Sequence, residues 1–350
     1  MRILHLIQEL GTGGAERILV SAFRGTREAG HEVFVAAAPG PLAAELDTAP
    51  FPLPLVRRRS WRIPAAALAA RRAVHASKPD VIHAYNPTMA LVAGLVTHRG
   101  RRPPGLVNLQ GVAEEDWRAT VRLVRLSGLA PVACGPGVAA ALEEHGCVPA
   151  ATVPNAVGPA PPPADRSKVE RDWKIVPGTK LVLAVGRLVE QKHHALAIQA
   201  LAGVPEATLV IAGEGPLRGE LERVAADAGV VERVVFAGVR PDARALMGAA
   251  DVVVLPSRWE GLPLTALEAL ASGTPLVGTN VRGLRELVVD GRDALLVPEE
   301  PGALAAALRR VLDEPELAAR LAESGRRVEG AGSDVELVSR FLELYERLAA

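Results

Sequence analysis

Glu260 and Glu268 stand eight residues apart in SRWEGLPLTALEALASGTPLVGT. Pro263 is expected in the first turn of a helix, where its missing N–H costs nothing. Glu260 then lies on the loop before the helix, and Glu268 lies more than a turn inside it. Between them the backbone N–H groups of Leu264 and Thr265 point out of a positive helix end, a ready site for phosphate. Carboxylates accept from hydroxyls while helix-end amides donate to phosphate oxygens. A sugar nucleotide presents both groups on one molecule.

A second set of residues suits the same ligand. In VGRLVEQKHH (185–194), Gly186 lets the chain turn at a strand end, and Arg187 and Lys192 follow on the loop. Two cations there can bracket a diphosphate, Arg by paired bonds and Lys as a point charge. As solvated surface charges they would be unremarkable, but next to the phosphate cradle they gain meaning. AGEGP (212–216) carries Gly213 and Glu214 after another strand, and FAGVR (236–240) carries Val239 and Arg240, placed to line a flat base. A plain strand-to-helix turn explains either segment equally well. Near the start, ELGTGGAER (9–17) puts Gly11, Gly13 and Gly14 on a loop that opens a helix.

Several chemistries are disfavoured. The last glycine of a dinucleotide GxGxxG would fall at Glu16, and no acidic residue ends the second strand segment, EVFVAAAPG. Neither GxxxxGK[ST] nor GxSxG occurs, and there is no Asp-x-Asp of the kind that holds a divalent metal on a sugar nucleotide. Leaving-group charge is therefore expected to fall on Arg187, Lys192 and a helix end, with no metal and no cofactor.

Short apolar runs alternate with helical patterns along the chain. Strands are expected at 3–8, 32–37, 81–85, 106–109, 131–134 and 151–155, with a helix over 15–30. GPAPPPAD (158–165) reads as a stiff connector. Strands then resume at 180–187, 207–215, 233–239, 251–257, 274–279 and 294–299. The pattern predicts two doubly wound α/β domains, 1–160 and 161–334, facing each other across a ligand crevice at their strands' carboxyl ends. The amphipathic helix at 335–350 is expected to pack back on the first.

The 350 residues suit two domains of this kind. Formal charge sums to zero, but residues 1–160 hold 17 Lys and Arg against 12 Asp and Glu, a net of +5. That excess is either chance or a sign of an anionic surface or acceptor. Cys134 and Cys147, with no CxxC and no histidine cluster, read as buried thiols of a reduced, cytoplasmic protein. No signal peptide and no spanning apolar run is expected.

These motifs, in this order, resemble glycosyltransferase family 4, retaining sugar-nucleotide transferases of the GT-B fold. GTGGAER is similar to the family's amino-terminal glycine loop, DVIHAYNP (80–87) to its strand-end histidine segment, and VPNAV (153–157) to the close of its first domain. GRLVEQK supplies the basic pair and EGLPLTALEALASGTPLVGT the two glutamates. The resemblance implies that Glu268 holds the nucleotide ribose and Glu260 the donor sugar's hydroxyls. It implies that Arg187 and Lys192 hold the diphosphate, and that the backbone of Gly261, Leu262, Pro263, Leu264 and Thr265 lines phosphate and sugar. His83 and Gln110 are expected on the sugar side. The first domain departs from the pattern: Gln110 stands where the family often has histidine, Ala156 replaces a glycine, and VRG (281–283) has one glycine where two are usual.

The implied reaction moves a hexose from a nucleotide sugar, with UDP favoured, to a hydroxyl, with retention and by front-face attack. The acceptor is a sugar, a lipid-linked glycan or a natural product, and nucleic acid is not expected. LVRRRSWRIP (55–64) sets Arg57, Arg58, Arg59 and Arg62 around Trp61, which suits peripheral contact with an anionic membrane or an ordinary solvated loop. Two other readings stay open: a sugar-nucleotide-binding protein of little activity, and another GT-B enzyme such as an epimerase.

Overall fold

Valine, isoleucine and leucine runs build two parallel sheets, each in its own compact unit. The structure, a computed structural model, describes residues 1–56, 61–97 and 103–350. One unit comprises Met1–Asn155 with Asp334–Ala350, the other Ala156–Ser333.

The first sheet contains β1 (Arg2–Glu9), β2 (Glu32–Ala38), β3 (Phe51–Pro52), β4 (Val81–Ala84), β5 (Gly105–Leu109), β6 (Ala130–Ala133) and β7 (Ala151–Thr152). Their order is β3-β2-β1-β4-β5-β6-β7, every pair parallel. Helices α1 (Gly14–Glu28), α2 (Ile63–Ser77), α3 (Pro87–Thr97), α4 (Trp117–Ser127) and α5 (Pro136–Glu144) connect them. Two details differ from expectation. β3 is too short to show any alternation in the sequence. β7 ends at Thr152, short of the expected Asn155, because Pro154 has no N–H for a ladder.

The second sheet contains β8 (Lys180–Val185), β9 (Ala207–Ala212), β10 (Val234–Gly238), β11 (Val252–Leu255), β12 (Leu276–Thr279) and β13 (Leu295–Val297). The order β10-β9-β8-β11-β12-β13 is again all parallel. With it come α6 (Arg166–Asp172), α7 (His194–Leu201), α8 (Arg218–Asp227), α9 (Ala243–Ala249), α10 (Leu264–Ser272), α11 (Arg282–Leu287), α12 (Pro301–Asp313) and α13 (Pro315–Gly325). The last helix, α14 (Val335–Ala349), belongs to the first unit.

Parallel strands are buried on both faces, so their side chains divide by parity between two cores. Val182, Ala184, Leu209, Ile211 and Val254 pack with Leu196, Leu221 and Leu308 in one cluster. Leu181, Leu183, Val210, Val253 and Leu255 pack with Leu246, Ala266 and Leu284 in the other. The connector at 158–165 is not a free strut. Ala164 N–H donates to Ala245 O at 2.9 Å, and Pro163 lies against Gly248. Asp165 then caps α6 by accepting from the N–H groups of Ser167 and Lys168.

In each sheet the winding reverses at the central strand, between β1 and β4 and between β8 and β11. Loops that leave the carboxyl ends there diverge and open a crevice for ligand. In the first sheet these loops carry Gly11 to Gly14 and Tyr85; in the second they carry Arg187 to Lys192 and Ser257 to Pro263.

Candidate functional site

In the second unit, glycines permit the ends of β8, β9 and β10 to meet closely. A Cβ on Gly213 would lie 1.9 Å from the Gly186 carbonyl oxygen, and one on Gly186 would press on the Lys192 stem at 3.2 Å. Gly213 also bridges to Gly238, whose φ of 68° is left-handed and suits glycine. Backbone bonds from Gly186 N–H to Ala212 O and from Leu188 N–H to Glu214 O tie the loops together. Arg187 extends from this platform and is exposed.

Beyond Arg187 the chain makes a short 3-10 turn over Glu190–Lys192, then passes through His193 at φ 43°, ψ 44°. A non-glycine residue rarely holds that conformation, and here it redirects the chain into α7. The turn is clamped to the loop after β11. Gln191 Nε2 donates to Trp259 O at 3.1 Å, Arg258 N–H donates to Gln191 O at 2.9 Å, and Arg258 pairs with Glu190 at 2.7 Å. Lys192 Nζ donates to Glu260 Oε1 at 2.5 Å, and Ser257 Oγ donates to the same oxygen at 2.6 Å. Both bonds fall on Oε1, so Oε2 remains able to accept.

His194 supports this arrangement from beneath. It is buried, and its Nε2 lies 3.2 Å from Gly186 O, where the imidazole N–H donates to the carbonyl. Burial lowers its pKa to about 4, which keeps the ring neutral.

The loop Glu260–Pro263 leads into α10, and here the helix start shifts by one position from expectation. Pro263 is the capping residue, with an extended ψ of 116°, and the helix begins at Leu264. Ala266 N–H is the first to bond within the turn, to Pro263 O at 3.1 Å. The amides of Leu264 and Thr265 precede it, at the positive end of the helix dipole. Gly261, Leu262, Pro263 and Leu264 are buried. Gly283 makes the close fit possible: a Cβ there would lie 2.2 Å from Gly261 O and 2.7 Å from Glu260 O.

Glu268 lies one turn into α10, with its Oε1 3.8 Å from Arg244 Nε. Arg244 in turn donates to Gly158 O at 2.6 Å and Pro159 O at 3.0 Å. Val239 is exposed, whereas Arg240 forms a two-bond pair with Asp242 at 2.7 and 2.8 Å and lies over Trp173. That pairing holds the Arg240 guanidinium beside Trp173. Glu214 approaches Arg218 at 3.9 Å.

In the first unit, Gly13 caps α1 and Gly14 opens it. Gly40 lets the neighbouring loop come in, since a Cβ there would lie 2.1 Å from Leu10 O. The expectation that His83 faces a sugar is corrected. The side chain is fully buried, with Nδ1 2.7 Å from the Tyr345 hydroxyl and the ring stacked on Tyr85 at 4.0 Å. Phe341 and Tyr345 of α14 pack against the His83 ring, with centroids 4.8 and 5.8 Å away. His5 makes the companion bond to Tyr85 at 2.9 Å, and burial pushes its pKa down to about 3. Gln110 is half-buried, and its amide exchanges bonds with Asn155 at 2.9 and 3.3 Å.

Cys134 and Cys147 are both buried thiols not joined in a disulfide. Among the described residues no three His, Cys, Asp or Glu side chains gather as metal ligands, and no helix is long and apolar enough to cross a membrane. Arg57, Arg58 and Arg59 of the basic segment lie outside the described residues; Trp61 and Arg62 are both exposed.

Two family models match the chain. One, described as glycosyl transferases group 1, covers residues 165–328; the other, Glycosyltransferase Family 4, covers 12–160. The 2-deoxystreptamine glucosyltransferase of Streptomyces kanamyceticus is 36% identical over 174 residues, 47% of this chain and 45% of that protein. The lipopolysaccharide core biosynthesis glycosyltransferase LpsE of Rhizobium meliloti is 37% identical over 146 residues, 41% of this chain and 43% of its own. The chain thus matches less than half the length of either relative. The crystal structure of Anabaena HepE in complex with UDP and glucose superposes with a TM-score of 0.86, at 23% identity and 99% coverage of both chains.

Proposed function

Because the chain belongs to glycosyltransferase family 4 and has the GT-B fold, we propose that it moves a hexose from a UDP-sugar to an acceptor hydroxyl, with retention and without a metal. The observation that carries this reading is the meeting of Lys192, Glu260 and Ser257 at the switch point of the second sheet. One oxygen of Glu260 is occupied by two donors and the other is open to a sugar hydroxyl. The Lys192 ammonium spends one of three N–H donors on Glu260 and keeps two for diphosphate oxygens. Arg187 and the amides of Leu264 and Thr265 add charge and dipole on the same group.

In this reading Glu268 accepts from the ribose, with Arg244 fixing its carboxylate. Val239 and the Arg240–Trp173 pair border the base. No carboxylate serves as a covalent nucleophile. The acceptor attacks on the face from which the nucleotide departs, the C1–O bond to the β-phosphate breaks as the new glycosidic bond forms, and the leaving phosphate oxygen takes the acceptor proton. The protein supplies orientation and electrostatic stabilisation of the leaving diphosphate. The sugar, lipid-linked or natural-product acceptor is bound by the first unit. HepE was crystallised with UDP and glucose, which supports the choice of donor class.

Calorimetric titration with UDP, GDP, ADP and dTDP, followed by the matching sugar nucleotides and product stereochemistry, tests this directly. UDP binding with transfer that survives EDTA is expected; absence of nucleotide binding, or activity lost to EDTA and restored by Mg²⁺, would overturn the corresponding part. The engagement of Gln110 with Asn155 also favours a second reading, a donor-binding protein of low turnover. UDP binding without UDP release across an acceptor panel would select it.

A further inference from the structure

We propose that the outward faces of α2, α3 and α4 form a docking surface for an anionic lipid bilayer. The right-handed crossovers from β4 to β5 and from β5 to β6 place α3 and α4 on one face of the first sheet, and α2 packs beside α3. Gly94 brings α3 and α4 together, since a Cβ there would lie 2.6 Å from Ser127 O. The three helices therefore present adjoining outer surfaces.

Those surfaces carry arginines, and the helices themselves carry no acid. No Asp or Glu occurs within α2, α3 or α4. Arg71 and Arg72 follow Leu68 by one turn on α2, and Arg118 and Arg122 are one turn apart on α4; all four arginines are exposed. Among the described residues none of the four makes an ion pair. The acids nearest in sequence are Asp80, three residues past the end of α2, and Glu114 to Asp116, which precede α4 within a turn of Arg118.

Apolar side chains separate a bilayer from other polyanions. Trp61 is 83% exposed, Leu68 54%, Leu95 52% and Leu126 57%, one or more on each helix or at its start. Every other strongly exposed large apolar residue among those described is a valine, apart from Leu55 at 38%. A nucleic acid would reward the arginines and leave the leucines in water, whereas a headgroup layer over hydrocarbon rewards both. The Arg62 guanidinium over the Trp61 ring at 5.7 Å combines the two requirements in one contact. The partner is thus a membrane surface rich in acidic lipids, and the surface does not depend on the donor reading.

The test uses the full chain with vesicles of phosphatidylcholine plus phosphatidylglycerol, vesicles of phosphatidylcholine alone, and duplex DNA. Cosedimentation with the acidic vesicles at low salt is expected, with a blue shift of Trp61 emission that Trp61→Phe removes. Each of Arg71→Ser, Arg72→Ser, Arg118→Ser and Arg122→Ser should lower partitioning roughly fivefold. Trp61→Ala with Leu68→Ser should weaken it further, while UDP affinity stays at the wild-type value in every variant. Absence of vesicle binding would overturn the proposal. Equal binding to DNA that ignores Trp61 and Leu68 would overturn it as well. Either result with UDP binding retained sinks the docking surface alone, and loss of UDP binding by the wild type with vesicle binding intact sinks the donor reading alone.

Discussion

Lys192 and Glu260 are joined by a direct ion pair although 68 residues separate them in the chain. The pair is 15% and 6% exposed, so water screens it little. It links the loops on either side of the point where the second sheet reverses its winding. A donor bound there would find the ammonium already aimed and the carboxylate already oriented, which lowers the reorganisation that transfer requires.

Lys192→Ala and Arg187→Ala should each reduce turnover by about a hundredfold to a thousandfold, or ~2–4 kcal/mol of barrier. Lys192→Ala carries an added cost, because it leaves Glu260 without its cation. The double variant Lys192→Ala with Glu260→Gln should therefore lose less than the two single effects multiplied. Steady-state kinetics of the cycle measure this, and strictly multiplicative losses would show that the pair does not act as a unit.

Glu268→Ala should weaken UDP binding by about tenfold to a hundredfold, the range for a hydrogen bond to a charged group. The expected signature is loss of affinity for UDP and UDP-sugar alike. Unchanged affinity by calorimetry would remove the ribose role.

Gly213→Ala forces a methyl group against the Gly186 carbonyl, and backbone cannot yield as a flexible side chain can. A loss of about 1–3 kcal/mol in stability is expected for such overpacking. Donor affinity should fall with it, since the platform under Arg187 shifts. A variant with wild-type melting temperature and wild-type UDP affinity would contradict the close approach.

Stability should fall as the solution is acidified from about pH 6.5 toward pH 4. His194 is held near 4 and His5 near 3 in the folded chain, and His83 lies well below its ordinary value, all through burial. In the unfolded chain these histidines titrate at their ordinary value of about 6.5. Between these values the unfolded chain binds protons that the folded one refuses, so stability is full above 6.5 and declines below it. The coupling is on the order of 1.4 kcal/mol for each pH unit and each histidine in that window. Urea titrations across the window should show the slope, and His194→Gln should reduce it.

Local chemistry made much of this legible from the chain alone. Apolar runs bounded by Gly, Pro and Asn marked twelve of the strands, and the spacing of Glu260 from Glu268 placed one before a helix and one inside it. What stayed hidden depends on partners far away in the chain. His83 has the same neighbours in sequence whether it faces solvent or not; its burial comes from Tyr345, 262 residues later. Gln191, Arg258 and Ser257 stand inside the two segments that carry the chemistry, but nothing in their types tells that they clamp the loops that hold Lys192. At Gly283 and Gly40 the reason for glycine lies in the carbonyls opposite them, of Gly261 and Leu10, which are distant in the chain. Pro263 missed by one position because proline suits a cap and a first turn almost equally.

The placement of α14 with the first unit has a consequence for how the molecule is made. Its Tyr345 and Phe341 close over His83, so that face of the first sheet is completed by residues made after the whole second unit. The second unit, drawn from one continuous stretch, can finish on the ribosome while the earlier strands still expose an aromatic seam.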